Sequence, residues 1–415
     1  MTITTAAANA RAITVPRDLT VHYDPLSYAD YDYPYDLFKR LRDAAPVFHN
    51  RERNLYVVSR YADVRAGLGD HERLSNKHGN DIDGTHDSYG DGMLVTLDPP
   101  RHTVLRSAIR RTFSAREILA KEDGLREFAR HLLSELREDG GGDFAARFAV
   151  PMGIGTGMTL LGAPAEDNPA FSELLERSMV RIVGQLGVPA DAAAANREAE
   201  EIIAQRFSER RAAIDAGAEA TGKDAFTQIL VAAHAGKVLP GEEDGLAHLV
   251  LSAGSDAPAA LLTNCIAVLD KFPALQGFLR ENPSMIPDFI EETLRYETPS
   301  QNLSRQTTQE IEIAGTVIPQ DSRVMFLQAS ANRDERVYED PDTFDLTRGF
   351  TPANRIMTFG EGAHACMGAP AARLVARVVL EELLPGPDFR IVGQPKRWTK
   401  QLVRGFEKLP IKFIS

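Results

Sequence analysis

The longest uninterrupted helical pattern in the chain covers residues 241–272. Its side chains are apolar around most of the helix circumference, which is typical of a helix surrounded by protein on all sides. A buried helix of this length needs other helices packed around it. This segment therefore predicts a large helical domain, with residues 241–272 running through its core.

The rest of the chain adds shorter helices and a few short strands. Helical patterns are expected over residues 35–44, 62–69, 103–113, 115–136, 145–161, 171–186 and 190–217, with a last helix starting near Pro370. Strand patterns cover residues 54–59, 310–314, 316–318 and 323–327, and residues 332–355 are expected to be coil. No internal repeat or linker divides these patterns. The predicted fold is mainly α with a small β-rich part, in a single domain.

The composition is that of an ordinary globular protein, with 43% hydrophobic and 26% charged residues. A net charge of −12 argues against nucleic acid as the main partner. No stretch approaches the ~20 apolar residues that span a bilayer, so we expect no membrane association. Two cysteines exclude a disulfide framework, which fits a reducing cytoplasm. We expect a cytoplasmic monomer.

Residues 1–16 are rich in alanine and threonine and contain no apolar signal-peptide core. Because they lack acids and include Arg11, a transit peptide is one interpretation, and a disordered tail is the other. We predict a disordered tail over residues 1–22 and one domain over residues 23–415.

Residues 359–368, FGEGAHACMG, place three glycines around a single cysteine, Cys366. Glycines permit unusual backbone angles and the close approach of a flat ligand. Pro370 stands where a proline starts a helix, so Cys366 precedes a helix N-terminus. There the helix dipole and free N–H groups favour a thiolate, which is a suitable axial ligand for haem iron. An isolated cysteine is otherwise most often buried and inert, as we expect of Cys265.

With Ala372 and Arg373, this segment resembles the haem-ligand pattern F-G-x-G-x-H-x-C-x-G-x-x-x-A-R of the cytochrome P450 family. The resemblance implies the mainly helical cytochrome P450 fold with a buried haem b. It also implies that Cys366 is the proximal thiolate ligand of the iron. Further haem contacts implied in this loop are those of Phe359, Gly360, His364 and Gly368.

A Glu-x-x-Arg pair, Glu292 and Arg295, precedes the cysteine loop, as it does in the family. Residues three apart share one face of a helix and can pair. The family completes this pair with an arginine from the following coil, and Arg348 fits that position. The resemblance therefore implies a buried structural cluster that locks the coil behind the cysteine loop.

Residues 98–106, DPPRHTVLR, resemble the family segment D-P-P-x-H-x-x-x-R. His102 and Arg106, one helical turn apart, are expected to face one haem propionate, because a carboxylate needs cationic or hydrogen-bonding neighbours. Arg305 matches the strand arginine that the family places on the other side. Each residue taken alone also fits an ordinary surface position, and their order around Cys366 favours the haem contacts.

Within the long core helix, residues 251–258, LSAGSDAP, align with the family's oxygen-binding segment A-G-x-[D/E]-T. Gly254 leaves room for dioxygen and Asp256 matches the acid that relays protons, but Ala257 replaces the threonine. Pro258 has no N–H, so the Gly254 carbonyl loses its i+4 partner and the helix should kink. We expect ordered water or a substrate hydroxyl to replace the missing threonine. The other interpretation is that Pro258 only shapes packing, with oxygen use poorly coupled or driven by peroxide.

The resemblance implies a haem-thiolate monooxygenase that inserts one oxygen atom of dioxygen into a small organic substrate, by hydroxylation or O-dealkylation. Electrons would come from NADH or NADPH through a ferredoxin reductase and a ferredoxin. The departure at Ala257 and Pro258 keeps open a second function, that of a peroxygenase or oxidative coupling enzyme. A non-enzymatic haem sensor is a third, which the full set of haem and proton-relay residues disfavours.

The substrate pocket of the family is expected to be lined here by residues 80–95, 179–186, 247–255 and 298–303. Residues 332–348 and 398–410 resemble bacterial members that oxidise small aromatic acids, which favours a substrate of that class. In the loop over residues 75–92, a metal site is an alternative to a solvated acidic loop. Its candidate ligands are Asp81, Asp83, His86 and Asp87.

Overall fold

The computed structural model describes residues 21–27, 33–83, 91–217 and 222–414. About 52% of the chain is helical, and the strands form small sheets. The predicted fold class, mainly α with a small β-rich part, is confirmed. Residues 1–20, most of the segment predicted to be a disordered tail, lie outside the described residues.

Helices make up most of the described chain, and several of their ends follow from the local sequence. Asp224 caps one helix by accepting the N–H of Thr227 at 2.9 Å. Pro370 lies in the first turn of the last helix, as predicted. A π-helical turn, Ala145–Ala149, leads into the sixth. The described helices are α1 (Tyr35–Ala44), α2 (Tyr61–Gly69), α3 (Arg101–Ile109), α4 (Ala115–Leu119), α5 (Glu122–Glu138), α6 (Val150–Leu161), α7 (Asn168–Ser178), α8 (Ala190–Asp215), α9 (Ala225–His234), α10 (Glu242–Lys271), α11 (Ala274–Glu281), α12 (Ile286–Tyr296), α13 (Gln328–Ala331) and α14 (Ala369–Leu383).

The strands are short and come from both halves of the chain. They are β1 (Val47–Asn50), β2 (Leu55–Val58), β3 (Leu74–Ser75), β4 (Gly141–Asp143), β5 (Leu303–Thr307), β6 (Ile311–Ile313), β7 (Thr316–Ile318), β8 (Arg323–Phe326), β9 (Phe389–Ile391), β10 (Lys396–Arg397), β11 (Phe406–Lys408) and β12 (Pro410–Phe413). The largest sheet has the order β1–β2–β8–β5–β3, with β2 and β8 parallel and the other neighbours antiparallel. A three-stranded sheet, β4–β12–β9, and two hairpins complete the β part.

The predicted core helix is α10, and α6 packs directly against it through glycines. A Cβ added to Gly153 would lie 2.4 Å from the carbonyl oxygen of Ser255. A Cβ added to Gly254 would lie 3.0 Å from the Cα of Gly157. Because the side chains at a contact set the distance between two helices, these glycines let the two backbones approach closely. The glycines that interrupt the apolar pattern of residues 145–161 are thus explained by packing.

The helix α10 is long and apolar enough to cross a membrane by length and composition alone. The expectation that no stretch approaches that length therefore needs correction. However, 67% of its most apolar window is buried inside the protein, as in the core helix of a globular domain. The apolar side chains of α10 are thus used by contacts within the fold.

The helix predicted over residues 171–186 ends early, because α7 stops at Ser178. Beyond this point the chain is held by hydrogen bonds to a remote segment. The N–H of Arg181 donates to Thr399 Oγ1 at 3.0 Å, and the Thr399 hydroxyl donates to the Arg181 carbonyl at 3.1 Å. These tertiary bonds favour an irregular path, so the prediction of one continuous helix is wrong.

Candidate active site

One cavity brings together residues that lie far apart in the chain. Its walls come from α3, α6, α10 and β5, from the loop that ends at Cys366, and from the segment between β10 and β11. The space between these walls, counting the open mouth, is about 1730 Å³. The lining is mostly apolar with a few polar groups, which is typical of a site for small molecules.

Three of the four segments predicted to line the substrate pocket do face this cavity. They contribute Asn80, Val95, Val250 and Ser300, among others. The prediction is wrong for residues 179–186, which do not line it. In their place the segment between β10 and β11 contributes Lys400, Leu402 and Val403.

The Cys366 loop is closed by its own backbone, because the N–H of Cys366 donates to the Phe359 carbonyl at 2.8 Å. Gly360 and Gly362 both have a φ of +69°, a backbone conformation that favours glycine. A Cβ on Gly362 would also lie 2.9 Å from the Cα of Gly69 in α2. Gly362 is therefore required by the turn and by the approach of α2, while Gly360 and Gly368 line the cavity.

The Cys366 thiol faces the cavity. Burial raises its pKa, whereas the backbone N–H groups of Gly368 and Ala369 and the guanidinium of Arg106 act to lower it. These N–H groups lie at the start of α14, where a helix favours negative charge. A metal cation bound to the sulfur would deprotonate the thiol outright.

Two imidazoles and one guanidinium line the cavity near Cys366. The ring centroids of His102 and His364 are 4.1 Å apart. Arg106 donates from Nη2 to the carbonyl oxygen of Ala365 at 2.5 Å. Within the described residues, His102 Nδ1 and His364 Nε2 are buried and have no hydrogen-bond partner. The wall therefore offers unused polar groups to an occupant.

Two positively charged arginine side chains lie near these imidazoles. Burial and the nearby Arg106 lower the pKa of His102 to about 4. Burial and the nearby Arg305 lower the pKa of His364 to about 2. Arg305 is buried in β5 behind this group rather than on the cavity wall, and burial lowers its pKa to about 10. In the described part of the chain, neither Arg106 nor Arg305 forms an ion pair with a carboxylate.

These features fit a haem. Buried cationic groups need a counter-charge, and the two carboxylates of haem would supply one. The cavity offers a thiol for the iron and unpartnered ring nitrogens of His102 and His364 for the periphery. The ring of Phe359 also faces this space, held under the guanidinium of Arg373 at 4.5 Å from its centroid.

The structure brings the predicted structural cluster together behind the cysteine loop. Glu292 and Arg295 are 0% exposed and form two hydrogen bonds, of 2.8 and 2.6 Å. Arg348 Nε lies 3.3 Å from Glu292 Oε1. Arg295 also donates to the carbonyl groups of Asn332, Pro341 and Thr343. The cluster therefore fastens the coil that leads to the cysteine loop.

The α10 wall of the cavity carries Gly254, Asp256, Ala257 and Pro258, as predicted from their order. The helix continues through Pro258. Since proline has no N–H, the Gly254 carbonyl lacks its i+4 hydrogen bond. The small size of Gly254, which the sequence pattern links to room for dioxygen, also serves the close packing of α10 on α6.

Sequence reasoning missed Lys400. Its Nζ lies 3.4 Å from Asp256 Oδ2, and each side chain is 13% exposed and lines the cavity. The two residues are remote in sequence, so no local pattern predicts their pairing. The available signal is only that Lys400 falls in the segment 398–410, one of the two segments that resemble aromatic-acid oxidising members of the family.

The alternative of a metal site over residues 75–92 gains no support from the described side chains. Asp83 forms an ion pair with Arg181 at 2.8 Å, with 4% and 3% of their side chains exposed. No group of three or more metal-ligating side chains occurs among the residues that the structure describes. His86 and Asp87 lie outside those residues.

A largely helical fold in which one thiol and a cationic wall face the same apolar cavity is the arrangement of a haem-thiolate protein. The family model of cytochrome P450 matches residues 279–402. Cytochrome P450 130 of Mycobacterium tuberculosis is 33% identical over 385 residues, covering 88% of this chain and 91% of that protein. The chain therefore belongs to the cytochrome P450 family, and it is a haem monooxygenase.

Other relatives agree with this assignment. Erythromycin C-12 hydroxylase of Saccharopolyspora erythraea is 33% identical over 393 residues, covering 92% of this chain and 95% of that protein. The structure of cytochrome P450 CYP109Q5 from Chondromyces apiculatus superposes with a TM-score of 0.82 at 29% identity. It covers 94% of this chain and 98% of that one. The fold is therefore shared along nearly the whole chain.

Proposed function

We propose that this monooxygenase inserts one oxygen atom of dioxygen into a small organic substrate, by hydroxylation or O-dealkylation, in the cytoplasm. Electrons come from NADH or NADPH through a ferredoxin reductase and a ferredoxin. The observation that carries this proposal is the convergence of Cys366, His102, Arg106 and His364 on one apolar cavity. When bound, haem supplies the activation of dioxygen, which a thiolate ligand promotes by donating electron density.

The residues of the chain have separate roles in this proposal. Cys366 holds the iron, with its charge favoured by the N–H groups at the start of α14. His102, Arg106 and His364 bind the haem carboxylates, because all three side chains line the cavity and each imidazole has a buried nitrogen without a hydrogen-bond partner among the described residues. Arg305 acts from behind through its charge. Phe359 packs beside the macrocycle.

Proton delivery in this chain must work without a hydroxyl at residue 257. Asp256 faces the cavity and can hold a proton. The Gly254 carbonyl, left without its i+4 donor by Pro258, can accept a hydrogen bond from a water or from a substrate hydroxyl. We therefore assign the relay to Asp256 together with a water or substrate hydroxyl at the Gly254 carbonyl.

A second candidate function rests on the same departure. If Ala257 and Pro258 leave no continuous relay, the protein would work as a peroxygenase or an oxidative coupling enzyme. Peroxide already carries the two protons that the relay would deliver. The two functions therefore differ in whether dioxygen gives product and in whether that dioxygen-driven turnover depends on Asp256.

A groove next to α14 supports a protein as electron donor. It is lined mainly by apolar side chains of α4, α12 and α14, with Leu119 60% exposed at its rim. Arg373, which contacts the ring of Phe359, also lines this groove. A ferredoxin seated there would touch α14, the helix that begins directly after the Cys366 loop.

The test uses the haem-loaded protein with ferredoxin, ferredoxin reductase and NADPH under isotopically labelled dioxygen. We expect label in the product, with one NADPH consumed per product for a well-fitting substrate. Asp256→Asn should slow this turnover and leave peroxide-driven turnover unchanged, and Ala257→Thr should improve coupling most for poor substrates. Product formed only when peroxide is added, with no labelled product from dioxygen and no effect of Asp256→Asn, would establish the peroxygenase function instead.

A further inference from the structure

The α10 wall of the cavity contains a charge pair that the proposed chemistry does not explain. Lys400, between β10 and β11, faces Asp256 with its Nζ 3.4 Å from Oδ2. Both side chains line the cavity, and each is 13% exposed. Placing an ammonium group against a mostly apolar wall carries a desolvation cost, which a purely packed wall would avoid.

Several titratable groups lie near Lys400. Asp83 and His248 lie near enough to feel its charge. Asp83 is already held by Arg181 at 2.8 Å, a tight and almost fully buried pair. Asp256 therefore forms an ion pair with Lys400 on the cavity wall, where both side chains would face a ligand.

The Lys400 contact is also the looser of the two pairs. Its 3.4 Å separation lies beyond the ~2.7–3.2 Å typical of N–H···O hydrogen bonds. Lysine carries a compact charge on a flexible four-carbon stem, so its ammonium can exchange one oxygen partner for another within the cavity. The Lys400 ammonium can therefore bind the carboxylate of a ligand that enters the cavity.

We propose that Lys400 determines substrate specificity by binding a carboxylate of the substrate, and that this carboxylate displaces Asp256 from Lys400. The substrate class is then an organic acid with an apolar body, which the surrounding Val95, Leu249 and Leu402 side chains contact. This inference rests on the proposed monooxygenase function.

Displacement has a consequence for the residue that carries the proton. While paired, the Asp256 carboxylate is neutralised by Lys400. Once the substrate carboxylate takes over Lys400, Asp256 is free to accept and pass on a proton beside Ala257. An acid substrate would therefore bind and complete the relay in the same event.

The experiment measures binding rather than turnover. Haem-loaded protein at neutral pH is titrated by calorimetry with 4-ethylbenzoate and octanoate, and with 4-ethylbenzamide and octanamide, which lack the charge. We expect the acids to bind more tightly than their amides. Lys400→Met should weaken acid binding about 10- to 100-fold, the range of a charge-assisted contact, and leave amide binding unchanged.

Four further variants make the test specific. Lys400→Arg should keep the preference for acids. Asp256→Asn should tighten acid binding, because it removes the internal competitor. This gain should disappear when Lys400→Met is combined with it, whereas a general loss of charge repulsion would persist there. Lys396→Met is the matched control, since Lys396 is exposed and pairs with Glu407 at 2.8 Å; it should change nothing.

The outcomes separate this inference from the proposed function. If no acid binds more tightly than its amide, or if Lys400→Met retains the preference, Lys400 does not select the substrate. Turnover of neutral substrates by the same preparation would then leave the monooxygenase proposal intact. A preparation that selects acids through Lys400 but gives no labelled product would overturn the proposed function alone.

Discussion

Replacing Glu292 with glutamine should strongly destabilise the fold. The carboxylate accepts hydrogen bonds from Nε and Nη2 of Arg295, from Nε of Arg348 and from the N–H of Asp345. Glutamine keeps the shape but removes the charge, and it turns one acceptor oxygen into a donor that faces other donors. Removing one partner of a buried ion pair costs about 3–5 kcal/mol. We therefore expect the free energy of unfolding to fall by that amount. The total free energy of unfolding of a domain is only ~5–15 kcal/mol.

The assay is urea unfolding of the haem-loaded protein, followed by circular dichroism and by haem absorbance. Glu209→Gln is the matched control, because Glu209 pairs with Arg206 at the same three-residue spacing on an exposed face and should change nothing measurable. Arg348 is only partly exposed, so Arg348→Met should lower the free energy of unfolding by about 1.5–3 kcal/mol. This variant replaces Glu292→Gln in the assay if Glu292→Gln does not fold. If Glu292→Gln and Arg348→Met both had the same midpoint urea concentration as the Glu209→Gln control, the reasoning would be refuted.

The remaining predictions concern haem and electron supply. Cys366→His should keep some haem but lose the carbon monoxide absorbance band of thiolate ligation; a retained band would exclude Cys366 as the ligand. Arg106→Met should weaken haem retention by about 1.5–3 kcal/mol, measured by transfer to apomyoglobin, and adding Arg305→Met should weaken it further through the lost charge. Leu119→Asp should raise the KM for ferredoxin and leave substrate affinity unchanged; an unchanged KM would place the electron donor elsewhere.

The parts of the site that sequence predicted well are those built from neighbouring residues. The Cys366 loop follows from its glycines and from Pro370, because turn conformation and helix initiation are local properties. The pairing of Glu292 with Arg295 follows from their spacing on one helix. Their roles in holding haem and fold stay predictions, and the variants above test them.

The parts that sequence did not predict depend on contacts between distant segments. The early end of α7 is set by hydrogen bonds to Thr399, and the strands after α14 have no strong alternation of their own. Arg305 is placed by the pairing of β5 with β8, which sets it behind His364 rather than on the cavity wall. Lys400 pairs with Asp256 only because the segment between β10 and β11 packs against α10 in the folded protein.

The glycine contact between α6 and α10 limits how this protein can adapt to new substrates. Any side chain larger than hydrogen at Gly153 or Gly157 would push α10 toward the space that a ligand occupies. The α10 wall is thus backed by backbone and has little freedom to yield. Selection for bulkier substrates should therefore accumulate changes around Val95 and in residues 400–403, and leave the glycines untouched.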